Sequence, residues 1–111
     1  MSVVRRAVFV VVLVLASLAG GAHAQSSSVE VTGTRPACVS ARAEARMQAY
    51  GFDHFVAARN GCDQPVACSV TTSVNPSPTV LELAPGQSRE TLMWRGSPAS
   101  TFVANVDCTM R

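Results

Sequence analysis

The sequence predicts an all-β fold: a small, disulfide-stapled β-sandwich with an immunoglobulin-like or related Greek-key arrangement. Three observations carry that expectation. Turn residues recur roughly every eight to twelve positions, the rhythm of short strands; they stand at Gly51, Asn60-Gly61, Asn75-Pro76-Ser77-Pro78, Pro85-Gly86 and Gly96-Ser97-Pro98. Between them, apolar and polar residues alternate with a period of two. The 111-residue chain has four cysteines, Cys38, Cys62, Cys68 and Cys108, and an even count in a small exported domain reads as two bridges.

Export is read from residues 1–24, which have the form of a cleaved secretory signal peptide. Arg5 and Arg6 give a positive start, Ala7 to Ala19 run without a charge, and Ala22-His23-Ala24 is the small-x-small pattern before Gln25. Thirteen helical residues rise only about 20 Å against a hydrocarbon core of about 30 Å, so a spanning anchor fits less well. No cysteine near the cut offers a lipid site. The twin arginines match the folded-protein export motif poorly and serve as plain n-region charge. Cleavage after Ala24 takes 24 of the 111 residues and leaves 87, enough for one domain with one modest core. The organisation expected is a signal peptide (1–24), a polar N-terminal tail or edge strand (25–36) and a single β-sandwich domain (37–111), located in the periplasm or outside the cell.

Within residues 25–36 only Val29 and Val31 alternate. From Ala41 to Ala49, alanines and Met47 alternate with Arg42, Glu44, Arg46 and Gln48. Alanine favours a helix, but strict alternation predicts a strand. His54 to Asn60 reads as the next strand, with Val56 and Ala58 on one face, and Asn60-Gly61 as a turn. Val66, Cys68, Val70 and Val74 share a face before two prolines end the ladder. Leu81 and Leu83 form an inward pair, Pro85-Gly86 a turn, and Glu90 to Trp94 a strand stopped at Gly96-Ser97-Pro98. Phe102, Ala104, Val106 and Cys108 give the cleanest alternation in the chain.

Four cysteines allow three pairings. The spacing favours Cys62–Cys68 across a tight turn, which leaves Cys38–Cys108 to tie the ends of the domain. A loop of about 71 residues closed by that long bridge contributes roughly 4 kcal/mol in the chain-entropy model. Structural zinc fits less well, because the central pair is spaced C-x5-C with no matching second pair. Segments N-G-C-D-Q-P-V-A-C-S-V, N-P-S-P and L-A-P-G-Q-S resemble those of small exported bacterial disulfide-bonded β-domain proteins of uncharacterised function. The resemblance covers Cys38 to Cys108 and implies architecture and export; it transfers no active site.

Charge narrows the function. The formal net charge of +2 comes from Arg5 and Arg6, and the remaining seven arginines balance seven acids with no lysine. Arg35, Arg42, Arg46, Arg59, Arg89 and Arg95 are dispersed in sequence, so neither nucleic acid nor stable membrane insertion after signal cleavage is expected.

Candidate sites are few. Asp53 beside His54 could suggest a general base; strand neighbours point to opposite faces, no nucleophile motif accompanies them, and a strand-end histidine near the surface is the plainer reading. Met47, His54, Met93 and Met110 are the residues a periplasmic copper-binding protein would use, but their spacing matches no copper motif, and Met47 and Met93 fall where core side chains are expected. Trp94 and Arg95, ahead of the Gly96-Ser97-Pro98 turn, are the best partner-binding candidates, since tryptophan and arginine concentrate at interfaces. Tyr50 and Phe52 form a second aromatic edge that core closure would use. The function expected is a non-catalytic exported binding or structural module presenting a rigid β surface to a protein or glycan partner, with no cofactor and no catalytic or metal-binding residues. Its alternatives are a small inhibitor of exported hydrolases presenting Asp63 to Ala67, the copper protein, or an enzyme of unrecognised type.

Overall fold

A computed structural model describes residues 29–111; the signal-peptide reading of residues 1–24 lies outside the described residues. Alternation wins throughout, and every regular element is a strand: β1 (Glu30–Thr32), β2 (Val39–Gln48), β3 (Gly51–Asn60), β4 (Val66–Thr72), β5 (Thr79–Leu83), β6 (Ser88–Ser97) and β7 (Val103–Met110). The first sheet has the order β1-β7-β4-β5 and the second β2-β3-β6. Their inner faces meet in one core that draws Val39, Val56, Ala58 and Met93 from the second sheet and Val66, Cys68, Val70, Leu81, Leu83, Ala104, Val106 and Cys108 from the first.

Strands β4 to β7 make a Greek key across the two sheets: β4 pairs with β5, the chain crosses to β6, and β7 returns beside β4. In the immunoglobulin arrangement the second and third strands lie in opposite sheets. Here β2 and β3 form a hairpin instead, in continuous register from Val39↔Asn60 to Gln48↔Gly51. The strand reading of residues 41–49 therefore holds, because Ala41, Ala43 and Ala45 pack on the core in a partnered strand.

Residues 30–32 are an edge strand, parallel to β7. Thr34 N–H donates to Asp107 Oδ1 (2.8 Å) and Arg35 Nη1 to the Val106 carbonyl (3.1 Å). Just before them Gly33 (φ 109°) passes so close to β7 that a Cβ would stand 2.4 Å from Val106 O. Only glycine fits there.

Both disulfides differ from the expected pairing. The bridges are Cys38–Cys62 and Cys68–Cys108, with Cα–Cα distances of 5.1 and 4.0 Å. Topology is the reason. Strands β4 and β7 are neighbours, and Cys68 and Cys108 stand directly opposite in their register, whereas Cys38 and Cys62 flank the open end of the β2–β3 hairpin. The bridges span 24 and 40 residues, so neither ties the two ends of the domain.

Asn60-Gly61 does not turn a hairpin; it leads from the second sheet to the first. The fully buried Asn60 side chain donates to Gln64 O (2.8 Å) and Leu83 O (3.0 Å) and accepts from Cys62 N–H (2.8 Å). This amide fastens one end of the sandwich.

Candidate functional site

The opposite end is built around an irregularity. Phe52 pairs with Ser97, His54 with Trp94 and Phe55 with Leu92, so β6 carries extra residues between these rungs. Such bulges bend a strand and re-aim its side chains. They also carry β6 past Trp94, where the sequence had placed its end, to Ser97.

Asp53 fills the bend. It is only 5% exposed, and its carboxylate accepts from Tyr50 Oη–H (2.8 Å) and Gly96 N–H (3.0 Å). Gly96 sits at φ 68°, and a Cβ there would lie 3.3 Å from the Tyr50 ring. One carboxylate thus clasps the β2–β3 turn to the bulged strand. The bond to Asp53, aided by desolvation, pushes the Tyr50 phenol above the usual tyrosine range, and the nearby Arg95 charge opposes it. Tyr50 is 57% and Trp94 43% exposed, so neither closes the core. Arg95 is also exposed, and no carboxylate pairs with it among the described residues. The exposed set is therefore Tyr50, Trp94 and Arg95, of which the buried acid bonds Tyr50 directly and the backbone at Gly96, next to Arg95.

His54 is not near the surface. It is fully buried, because it shares the inward face of β3 with Val56 and Ala58. Its ring stacks on Phe102 at 4.1 Å, and Nε2–H donates to Ala99 O (2.8 Å). That bond places the proton on Nε2, leaving Nδ1 buried without a partner. Asp53 and His54 point to opposite faces, as alternation requires, and contact different groups.

The four copper-candidate residues do not converge. Met93 is buried, but Met47 is 76% exposed at the last rungs of the β2–β3 hairpin rather than in the core. It occupies an edge strand where the sandwich does not cover it. Met110 pairs with Val66 at the Asn60 end, away from His54. No group of three or more His, Cys, Asp or Glu among the described residues is arranged to hold a metal. The loop offered for inhibition is anchored by separate bridges: Cys62 goes to Cys38 and Cys68 to Cys108, so no disulfide closes it on itself.

Sequence reasoning missed Asp53, Tyr50 and Asn60 as organising residues. The first two are three apart around Gly51, a signal visible only once the turn is placed. It also missed the outer face of the second sheet, where alternation puts Arg42 and Arg59 beside Ala57 across one hairpin. Two disulfides are characteristic of a chain that folds in an oxidising environment, as exported proteins do, and no helix among the described residues is long and apolar enough to cross a membrane. Comparison with known protein families, curated proteins and solved structures finds no match.

Proposed function

We propose that the protein is a non-catalytic exported binding module, of the small bacterial type its turn and cysteine segments resemble, acting in the periplasm or outside the cell. Its working surface is the bulged end of the second sheet, and its partner is a protein or glycan. The observation that carries this reading is the Asp53 clasp. A buried carboxylate holds Tyr50 and Gly96 in one geometry while Tyr50, Trp94 and Arg95 remain exposed. Aromatic and arginine side chains ordered in advance lose little entropy on binding and dominate interface energetics.

Trp94 is the only tryptophan in the chain, so its fluorescence reports on the surface directly. Capture from the native envelope or secretome supplies the partner. Titration with it should shift Trp94 emission to the blue and protect it from iodide, with affinity at least ten-fold weaker in Trp94→Ala, followed calorimetrically. A captured partner that binds Trp94→Ala as tightly as the native protein, leaving Trp94 emission unchanged, would refute the reading.

A further inference from the structure

The outer face of the second sheet, on the side away from the core, has three successive rows set by the register: Ser40–Arg59–Ser88, Arg42–Ala57–Glu90 and Glu44–Phe55–Leu92. In the middle row the central residue is Ala57, and larger side chains surround it. A hollow of about 480 Å³ results, lined by Ser40, Arg42, Ala57, Arg59, Ser88 and Glu90 among others. That volume falls within the range of small-ligand sites.

Its charges are unevenly satisfied. Arg46 donates from Nη1 and Nη2 to the two Glu90 oxygens (2.9 and 2.8 Å) and also pairs with Glu44. The same guanidinium lies 4.0 Å from the Phe55 ring centroid. One arginine therefore takes both glutamates of this face. Arg42 and Arg59 have no carboxylate within ion-pair distance among the described residues. Because Arg59 faces Ser40 and Arg42 faces Ala57, the two arginines are diagonal neighbours on one face, roughly 7–8 Å apart at their bases. Like charges so placed repel, and an anion between them removes that cost. Arg89 also lines the hollow, and its Nη1 reaches the Glu82 carbonyl at 3.5 Å.

We infer that this hollow binds a phosphate monoester, with the phosphoryl group held between Arg42 and Arg59 and the organic body lying over Ala57. Two guanidiniums without carboxylate partners attract the charge of about −1.5 to −2 that a phosphate monoester carries near neutral pH. Guanidinium forks suit its oxygens, and Ser40 and Ser88, on either side of Arg59, supply hydroxyl donors. Glu90 lines the hollow with both oxygens bonded to Arg46, a guanidinium it shares with Glu44, so the face keeps a net positive charge through Arg42 and Arg59. The site is separate from the Trp94 surface and does not depend on it.

The test uses the disulfide-bonded domain, isotope-labelled, titrated with phenyl phosphate, inorganic phosphate and, at matched ionic strength, chloride. Phenyl phosphate should shift the Ala57 amide and the Arg42 and Arg59 Nε–H resonances saturably, chloride should not, and inorganic phosphate should bind more weakly because it leaves most of the hollow unfilled. Arg42→Gln and Arg59→Gln should each weaken binding about ten-fold or more with the remaining spectrum unchanged, and Trp94→Ala should leave it intact. Affinity should fall as pH drops below about 6, where the monoester loses its second charge. Absence of a saturable shift at Ala57, equal affinity for phenyl and inorganic phosphate, or affinity unchanged in both arginine variants would overturn the assignment.

Discussion

The two sheets are built from different chemistry. Eight of the buried apolar residues come from β4, β5 and β7 of the first sheet, four of them valine or leucine with no more than 1% exposure, whereas the second sheet supplies only Val39, Val56, Ala58 and Met93. Its β2 contributes alanines that are only partly buried. Four of the five buried polar residues, Asp53, His54, Asn60 and Ser97, lie in β3 and β6 of the second sheet; Thr72 alone lies in the first. Apolar burial stabilises by about 25 cal/mol per Å², so the valine-rich sheet carries most of that term. The alanine-rich sheet contributes less apolar burial and carries polar clasps, bulges and unpaired charge. Stability is concentrated in one layer, and the surfaces proposed for binding lie on the other.

The largest expected effect tests that division directly. Cys68–Cys108 joins two central strands of the first sheet, and its cysteines are 0% and 6% exposed. Replacing both by alanine should cost about 2–5 kcal/mol, the usual loss for a small exported domain. Cys38–Cys62 closes a hairpin already paired along its whole length, and Cys38 is exposed. Its double alanine variant should retain at least about 1 kcal/mol more stability in urea denaturation. A reversed order would mean that the second sheet needs its staple more than the core does.

Much of this asymmetry was legible in the sequence. Alternation identified the inward residues of β4, β5 and β7, since a buried strand face repeats every second position whatever lies opposite. It also places His54 in phase with Val56 and Ala58, so the burial of that ring is encoded in the alternation of its own strand. Disulfide partners were not legible, because Cys68 meets Cys108 only if β7 returns beside β4, and that depends on the crossovers between sheets. The Arg42–Arg59 pair was hidden for a related reason. The residues are 17 positions apart in the chain, and only the register set by the Ala49-Tyr50 turn makes them neighbours.

Asn60 sharpens the comparison at the joint between the sheets. Its amide satisfies carbonyls of the β3–β4 connection and of β5. Asn60→Ala leaves Gln64 O, Leu83 O and Cys62 N–H without these partners, and buried groups so stranded cost about 1–3 kcal/mol. Asn60→Asp keeps the acceptor for Cys62 N–H but turns two donors into a buried charge, so it should be at least as damaging. Thermal denaturation of the two variants decides this. Near-native stability in Asn60→Ala would show that the sheets are joined by apolar contact alone.

The smallest effect concerns the clasp at the other end, and it can be read without unfolding the protein. Tyr50 is the only tyrosine in the chain, so ultraviolet absorbance near 295 nm follows its ionisation alone once the Trp94 background is subtracted. Its phenol donates to a buried carboxylate and titrates above the ordinary value. A raised folded-state pKa means that the bond contributes stability fully below the unfolded tyrosine pKa, about 10, and that this contribution is lost as pH rises through the folded value. Alkaline titration of the native protein should therefore show a high midpoint. Asp53→Asn, which removes the negative charge and keeps the shape, should move that midpoint down toward the free phenol while changing stability at neutral pH by about 1–2 kcal/mol. An unchanged midpoint in Asp53→Asn would mean that desolvation rather than Asp53 sets the phenol, and the clasp would lose its role in ordering the Tyr50–Trp94 surface. A midpoint that falls with little loss of stability at neutral pH would sharpen the comparison, because the bond would then organise the exposed face of the second sheet while the fold rests on the first.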